Sequence, residues 1–219
     1  MISFEDLRRD EEIVAHINAA NKVLGEIGFT EHGLAHAVKT GTDASNILAV
    51  LNFDERTCEL AKIAGLLHDI GNLVNRVDHA QSGALLAHSL LKERGFCTDE
   101  VLKISVAIGH HDDKTAAPVS PLAAALILAD KSDVRSTRVR DKITVSKDIH
   151  DRVNFAAIGS HLEIDGDNKL IILTLKIDTE ICPVMEYFEI FLDRMILCKR
   201  SAAYLNCNFE LIINNTRLL

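Results

Sequence analysis

The chain has 219 residues, and its 24 Lys and Arg against 32 Asp and Glu leave a formal charge of −8. That length suits one domain with at most a small appendage, and the acidic balance argues against binding nucleic-acid polymers, which needs clustered Lys and Arg. With only three Pro, no run approaching the ~18 apolar residues that span a bilayer, and a start (Met1-Ile-Ser-Phe-Glu-Asp-Leu-Arg-Arg) unlike a secretory signal, disordered, membrane and secreted classes drop out and a cytoplasmic protein is expected.

From residue 9 to about 140 the apolar spacing is helical. Ile13, Ile17, Ala20 and Leu24 recur every three or four positions, and Gly28 stops that helix. Thr30 is a candidate N-cap for the next helix, Asp54 for one running to His68, and Asp78 for one ending before Gly95. Thr98 caps a stretch toward His110, and Ser120-Pro121 places an N-cap before a proline at the first helical position. Five or six helices with short loops make a bundle-like core. The texture then changes. Leu162 and Ile164, the turn Asp165-Gly-Asp-Asn168, and Ile171, Leu173, Leu175 and Ile177 on one face read as a β-hairpin. Pro183 opens an amphipathic helix to about Leu205, with Val184, Phe188, Phe191, Met195 and Ala202 on one side, and Phe209 to Ile213 could form a further strand. The division expected is residues 1–150 and 151–219, the second a small α+β appendage packed on the core or on a partner, since an isolated hairpin is barely stable in water. Cys58, Cys97, Cys182, Cys198 and Cys207 are scattered and form no CxxC pair, so they read as reduced thiols.

Seven of the ten histidines fall between residues 32 and 111. His68-Asp69 closes an apolar run, where an imidazole and a carboxylate can reach one cation. His32 and His36, four apart, fall about 40° apart on a helix and so on one face, a metal-ligand spacing. His110-His111-Asp112-Asp113 follows Gly109, which lets the helix end and both rings turn to one site. Asp130 closes the apolar stretch from Leu122, where a carboxylate is costly unless paired or on a metal. Lys131 and Asp133 follow it, so a local ion pair is also open. His79 and His88 compete for one place, and His79 at a helix start suits it better, leaving His88 structural or surface.

Taken in order, His36, His68-Asp69, a histidine on the next helix, His110-His111 and Asp130 resemble the HD superfamily of metal-dependent phosphohydrolases. The extra histidines are similar to those of the two-metal members, including the HD-GYP phosphodiesterases. Asp69-Ile-Gly resembles their His-Asp-Ile-Gly-Lys segment, and Asp130 through Arg138-Val-Arg140 resembles their tail. The likeness covers about residues 28–142. Three departures bear on cyclic-dinucleotide specificity and leave metal binding untouched: Asn72 stands where that segment carries Lys, no Gly-Tyr-Pro follows His111, and His32 takes a place where some members carry Glu.

The resemblance implies a mostly α protein, an HD helical core with the α+β appendage. It implies a cation on His36, His68, Asp69 and Asp130, and a second on Asp69, His79, His110 and His111, with His32 adjoining. Two divalent ions per chain are expected, iron or manganese first, with cobalt, nickel or zinc also compatible. They would acidify a water that attacks phosphorus, with Lys131 and Arg138, beside Asp69, meeting the charge of a small, nucleotide-like phosphorylated substrate. Two alternatives stay open. The same ligands serve di-iron oxygenase chemistry in some HD-fold proteins. The hairpin and helix 183–205 also offer a homodimer or partner surface, which would suit a non-catalytic signalling or scaffold module.

Overall fold

Local capping chemistry sets the helix starts in the computed structural model, which describes residues 2–113, 115–140 and 149–219. Helix α1 (Phe4–Arg9) starts on a capping box between Ser3 and Asp6. The Asp10 side chain accepts from the Glu12 and Ile13 amides to start α2 (Glu11–Glu26). Asp54 caps α4 (Glu55–Leu67), and Ser120 with Pro121 starts α7 (Pro121–Ser132), both as the sequence suggests. Gly95, at φ +81°, follows the end of α5 (His79–Glu93) in the left-handed region where glycine carries no side-chain clash.

Two starts differ from expectation, and a third falls where expected without a side-chain cap. Helix α3 (Leu34–Val50) begins after Gly33, not Thr30. The His32 amide donates to the Asn21 side chain and the His32 ring engages the Thr30 carbonyl, so residues 30–33 spend their polar groups outside the helix. Cys97, one residue before Thr98, is the cap of α6 (Thr98–Gly109). Asp78 does precede α5, but at φ +57° and with no side-chain bond to the helix.

Two glycines set the approach of α3 to α4. A Cβ on Gly65 would lie 2.4 Å from the Gly41 Cα, and one on Gly41 would lie 2.4 Å from the Lys62 carbonyl oxygen. Only backbone fits there. That contact sets His36 of α3 and His68 at the end of α4 side by side. A short 3-10 turn (Ile70–Leu73) follows and packs on α5. Helix α7 is buried along Leu122–Ala129 because α3, α4, α6 and the C-terminal helix all pack on it, which is why its sequence shows apolar residues all round rather than a stripe.

A second 3-10 turn (Ser136–Arg138) follows α7. Helix α8 (Ile149–Ala156) then leads into β1 (Ala157–Asp165) and β2 (Leu170–Ile177), the expected antiparallel hairpin. Ile171, Leu173, Leu175 and Ile177 are its buried face. Helix α9 (Val184–Tyr204) crosses over to β3 (Asn208–Ile213), which runs parallel to β2, and β4 (Thr216–Arg217) adds an antiparallel edge. The parallel pair needs such a crossover, and the helix supplies it. Phe191, Met195 and Ala202 on α9 are buried as expected, joined by Tyr187 and Cys198, and α9 lies against α7. The expected boundary at residue 150 falls at the start of α8. Residues 141 and 142, the end of the HD-like stretch, lie outside the described residues. No helix among the described residues is long and apolar enough to cross a membrane.

Candidate metal centre

Four imidazoles and two carboxylates from five segments converge at one end of α7. His36 comes from the first turn of α3, and His68 and Asp69 from the end of α4. His79 begins α5, His111 lies just past α6, and Asp130 belongs to the last turn of α7. His36 Nε2 lies 3.3 Å from His68 Nε2 and 3.3 Å from Asp130 Oδ1. Asp69 Oδ2 is 3.1 Å from His68 Nε2 and 3.7 Å from His36 Nε2. Its other oxygen faces His79 Nε2 at 3.5 Å and His111 Nε2 at 3.9 Å. His79 and His111 meet through their Nε2 atoms at 3.2 Å.

The opposite ring nitrogens fix which atoms face inward. His36 Nδ1 donates to the Asp133 carboxylate at 2.7 Å. His68 Nδ1 donates to the Gly65 carbonyl at 2.8 Å and His111 Nδ1 to the Ile108 carbonyl at 2.6 Å. His79 Nδ1 donates to the Arg76 carbonyl at 3.1 Å. Each acceptor has no hydrogen of its own to give, so each Nδ1 carries the proton. With the rings neutral, as a metal requires them, the Nε2 lone pairs point at one another and at carboxylate oxygens. Asp69 Oδ2 is buried and has no hydrogen-bond donor. Lone pairs held against lone pairs in a buried space cost free energy unless a cation lies between them. Imidazole nitrogen and carboxylate oxygen are the donors that suit divalent transition ions, so the residues fit a metal.

Electrostatics agree. Burial works against charge on His68, yet Asp69 and Asp130 outweigh it and lift its pKa to about 10: the carboxylates demand positive charge at this point. Burial, with His68 and Lys131 adding to it, pushes His111 down to about 3 and keeps it a neutral donor. Burial opposes ionisation of Asp69 and Asp130, but His68 beside the first and Lys131 beside the second hold both well below the usual carboxylate range. Two donor triplets can hold an ion: His36, His68 and Asp130; and His68, Asp69 and His111.

His36, His68, Asp69, His79, His111 and Asp130 thus come together. His110 does not. It is the C-cap of α6, and its Nδ1 turns back to the Val106 carbonyl at 2.9 Å, so the residue expected to share the second ion points along its own helix. His32 lines the cleft above the cage without joining either triplet. It precedes α3 rather than sharing a helix face with His36, although the two rings still meet edge-on at 5.5 Å. Burial and the nearby Arg138 push its pKa well down.

A cleft of about 310 Å³ opens over the cage. Lys131 lines it, held between Asp130 at 2.6 Å and Asp113 at 2.9 Å. Arg138 lines it too, but donates to the Glu31 and Asp133 carbonyls, which makes it in part a brace. Sequence reasoning missed three contributors. Asp133 orients His36, Arg76 leans on His79, and Arg194 of α9 reaches Asp113 at 2.9 Å. The first two have a faint signal, a charged residue three positions from a ligand. Arg194 has none.

The HD domain family model matches residues 33–135, the stretch that carries every one of the six converging residues. Ribonuclease Y of Opitutus terrae is 29% identical over 139 residues, which are 59% of this chain and 25% of that protein. Ribonuclease Y of Oleidesulfovibrio alaskensis is 32% identical over 118 residues, 51% of this chain and 20% of that protein. The chain thus spans a quarter or less of the length of these curated relatives. A crystal structure described as a predicted HD superfamily hydrolase, from an uncultured Thermotogales bacterium, matches with 32% identity and a TM-score of 0.45, covering 57% of this chain and 67% of that one.

Proposed function

Since residues 33–135 carry an HD domain, we propose that the chain is a metal-dependent phosphohydrolase that cleaves a phosphomonoester or phosphodiester bond of a small, nucleotide-like substrate. The observation that carries this reading is the inward-facing set of Nε2 and carboxylate atoms at the floor of a cleft whose walls bear cationic side chains. His36, His68, Asp69 and Asp130 would hold a divalent ion, iron or manganese by donor type. When bound, such an ion supplies Lewis-acid charge and lowers the pKa of water toward neutrality.

The remaining work falls to this chain's own side chains. Asp69 faces both halves of the cage, one oxygen toward His36 and His68 and the other toward His79 and His111. Asp133 holds the His36 ring in the tautomer that presents Nε2. Lys131, fixed between two carboxylates, places an ammonium beside Asp130 where the charge of a phosphate group would gather. Phe29 offers an exposed aromatic face at the cleft for a flat ring of the substrate. The two relatives named for ribonuclease activity support a ribonucleotide among the phosphodiesters to be tried first.

Protein purified without chelator and loaded with iron or manganese should release product from one of three groups: aryl phosphates, nucleotides, or cyclic and short linear oligoribonucleotides. Asp69→Ala should abolish that release. No turnover across all of them by metal-replete protein would overturn the proposal.

A further inference from the structure

The His79 end of the cage already contains a positive charge. Arg76 Nη1 lies 3.2 Å from His79 Nε2, 3.4 Å from His79 Nδ1 and 3.4 Å from Asn72 Oδ1. The guanidinium carbon stands 5.1 Å from the centre of the Phe29 ring, within cation–π range. Because His79 Nδ1 is committed to the Arg76 carbonyl, Nε2 is the one nitrogen of that ring with a lone pair to give. Nη1, almost equidistant from the two ring nitrogens, lies off the axis of that lone pair, so it opposes an ion there by charge: a guanidinium 3.2 Å from Nε2 repels a second cation at this end of the cage.

Two further observations limit how many ions fit. The two donor triplets share His68, and its single Nε2 lone pair serves one ion at a time. A second ion would therefore have to rest on Asp69, His79 and His111, the end where Arg76 lies. The charges also count. Among the described residues, the carboxylates in contact with the cage and its partners are Asp69, Asp112, Asp113, Asp130 and Asp133. The cationic groups on them or on His79 are Arg76, Lys131, Arg135, Arg138 and Arg194. These cancel. One divalent ion leaves a surplus of two positive charges, the charge that a phosphate monoester dianion neutralises. Two ions would leave four in a buried space.

We propose that Arg76 is the resident cation of the His79 half of the cage: with it in place the chain binds one divalent ion, on His36, His68, Asp69 and Asp130, and the guanidinium provides the second positive charge that a phosphate group meets. The phosphate part rests on the phosphohydrolase reading; the ion count does not. Phe29 is then a positioning residue for Arg76.

The test is manganese stoichiometry by elemental analysis, and the electron paramagnetic resonance spectrum, of wild type and Arg76→Met, which keeps the apolar stem and removes the charge. Circular dichroism melts confirm that both are folded. Wild type should hold one ion per chain with an isolated-ion spectrum, and Arg76→Met two with the coupled spectrum of neighbouring ions. Phe29→Leu, which leaves every polar group in place, should move partway toward two. At one equivalent of manganese, Arg76→Met should bind inorganic phosphate about tenfold more weakly, as expected for loss of one charge-assisted contact. Two ions in wild type, or one ion in both proteins, would overturn the role of Arg76 and leave the cage standing. No ion in either would overturn the cage as well.

Discussion

Asp133 touches no candidate ion, yet its removal should weaken metal binding. Its side chain is fully buried, and one oxygen accepts the His36 Nδ1 hydrogen at 2.7 Å. Burial opposes its charge, but His36 and Arg135 hold its pKa well below the usual carboxylate range, so it is an anion at neutral pH. The anion does two things: it fixes the Nδ1–H tautomer and it raises the electron density that Nε2 offers. A hydrogen bond to a charged group contributes about 1.5–3 kcal/mol. Here the charge is shared with Arg135 and Arg138, so the lower half of that range applies. About 1.4 kcal/mol is a factor of ten. Asp133→Asn keeps the shape and loses the charge, and should weaken manganese affinity about tenfold to thirtyfold. Isothermal titration of chelator-stripped protein measures this, with a thermal melt of the metal-free form as control. His36→Ala, which deletes the donor itself, should cost at least a hundredfold. If Asp133→Asn binds manganese within twofold of wild type while folding normally, then the His36 ring is held by packing alone and the argument fails.

Three more outcomes follow from the same geometry. His111→Ala should leave the one manganese in place, because its ring faces the Arg76 end of the cage, but should block the second ion that Arg76→Met admits; His110→Ala and His88→Ala should change neither count, because neither ring joins the cage; elemental analysis decides. Gly65→Ala forces a Cβ to within 2.4 Å of the Gly41 backbone, so α3 and α4 must part, at about 3 kcal/mol measured by urea denaturation. Asp10→Ala removes the cap of α2 and the ion pair to Arg94 at 2.7 Å. Arg94 holds the Asp10 pKa down at about 2 from 3.8, so that pair stabilises fully above pH 3.8 and is lost as pH falls toward 2. With solvent screening discounting the pair to about 1 kcal/mol and the cap adding about 1 kcal/mol, the melting temperature should drop by about 4–8 °C at neutral pH, and by less at pH 3.

What the sequence made legible was mostly local. Asp54 and Ser120-Pro121 announce helix starts because a cap is a bond between neighbours. Asp130 stood out because a carboxylate ending a wholly apolar helix needs a partner of opposite charge. His32 was misread because the spacing of four residues says nothing of Asn21, whose side chain takes the His32 amide and keeps the helix from starting there. His110 and His111 are equivalent on paper. At a helix end one residue turns inward and the next lies back along the axis, and only the approach of α4 and α5 decides which. Two of the three missed contributors are made by contacts between distant segments. Arg194 meets Asp113 across 81 positions of chain, and His36 meets Asp133 across 97.

The cage and the cleft therefore draw on different parts of the chain. The six converging residues lie within residues 33–135. Phe29, Arg138, Phe191 and Arg194, which line the cleft, lie outside that stretch. Alternating charges join the two. Asp130 pairs with Lys131, Lys131 with Asp113, and Asp113 with Arg194 of α9, each at 2.6–2.9 Å. Lys131 lies 7% exposed between its two partners, so it cannot swing toward a substrate unless Asp113 gives way, and Arg194 holds Asp113 from the far side. Helix α9 is itself fixed at both ends by β2 and β3 of one sheet. The C-terminal elements thus set the reach of the ammonium nearest the cage, while contributing nothing to the cage itself.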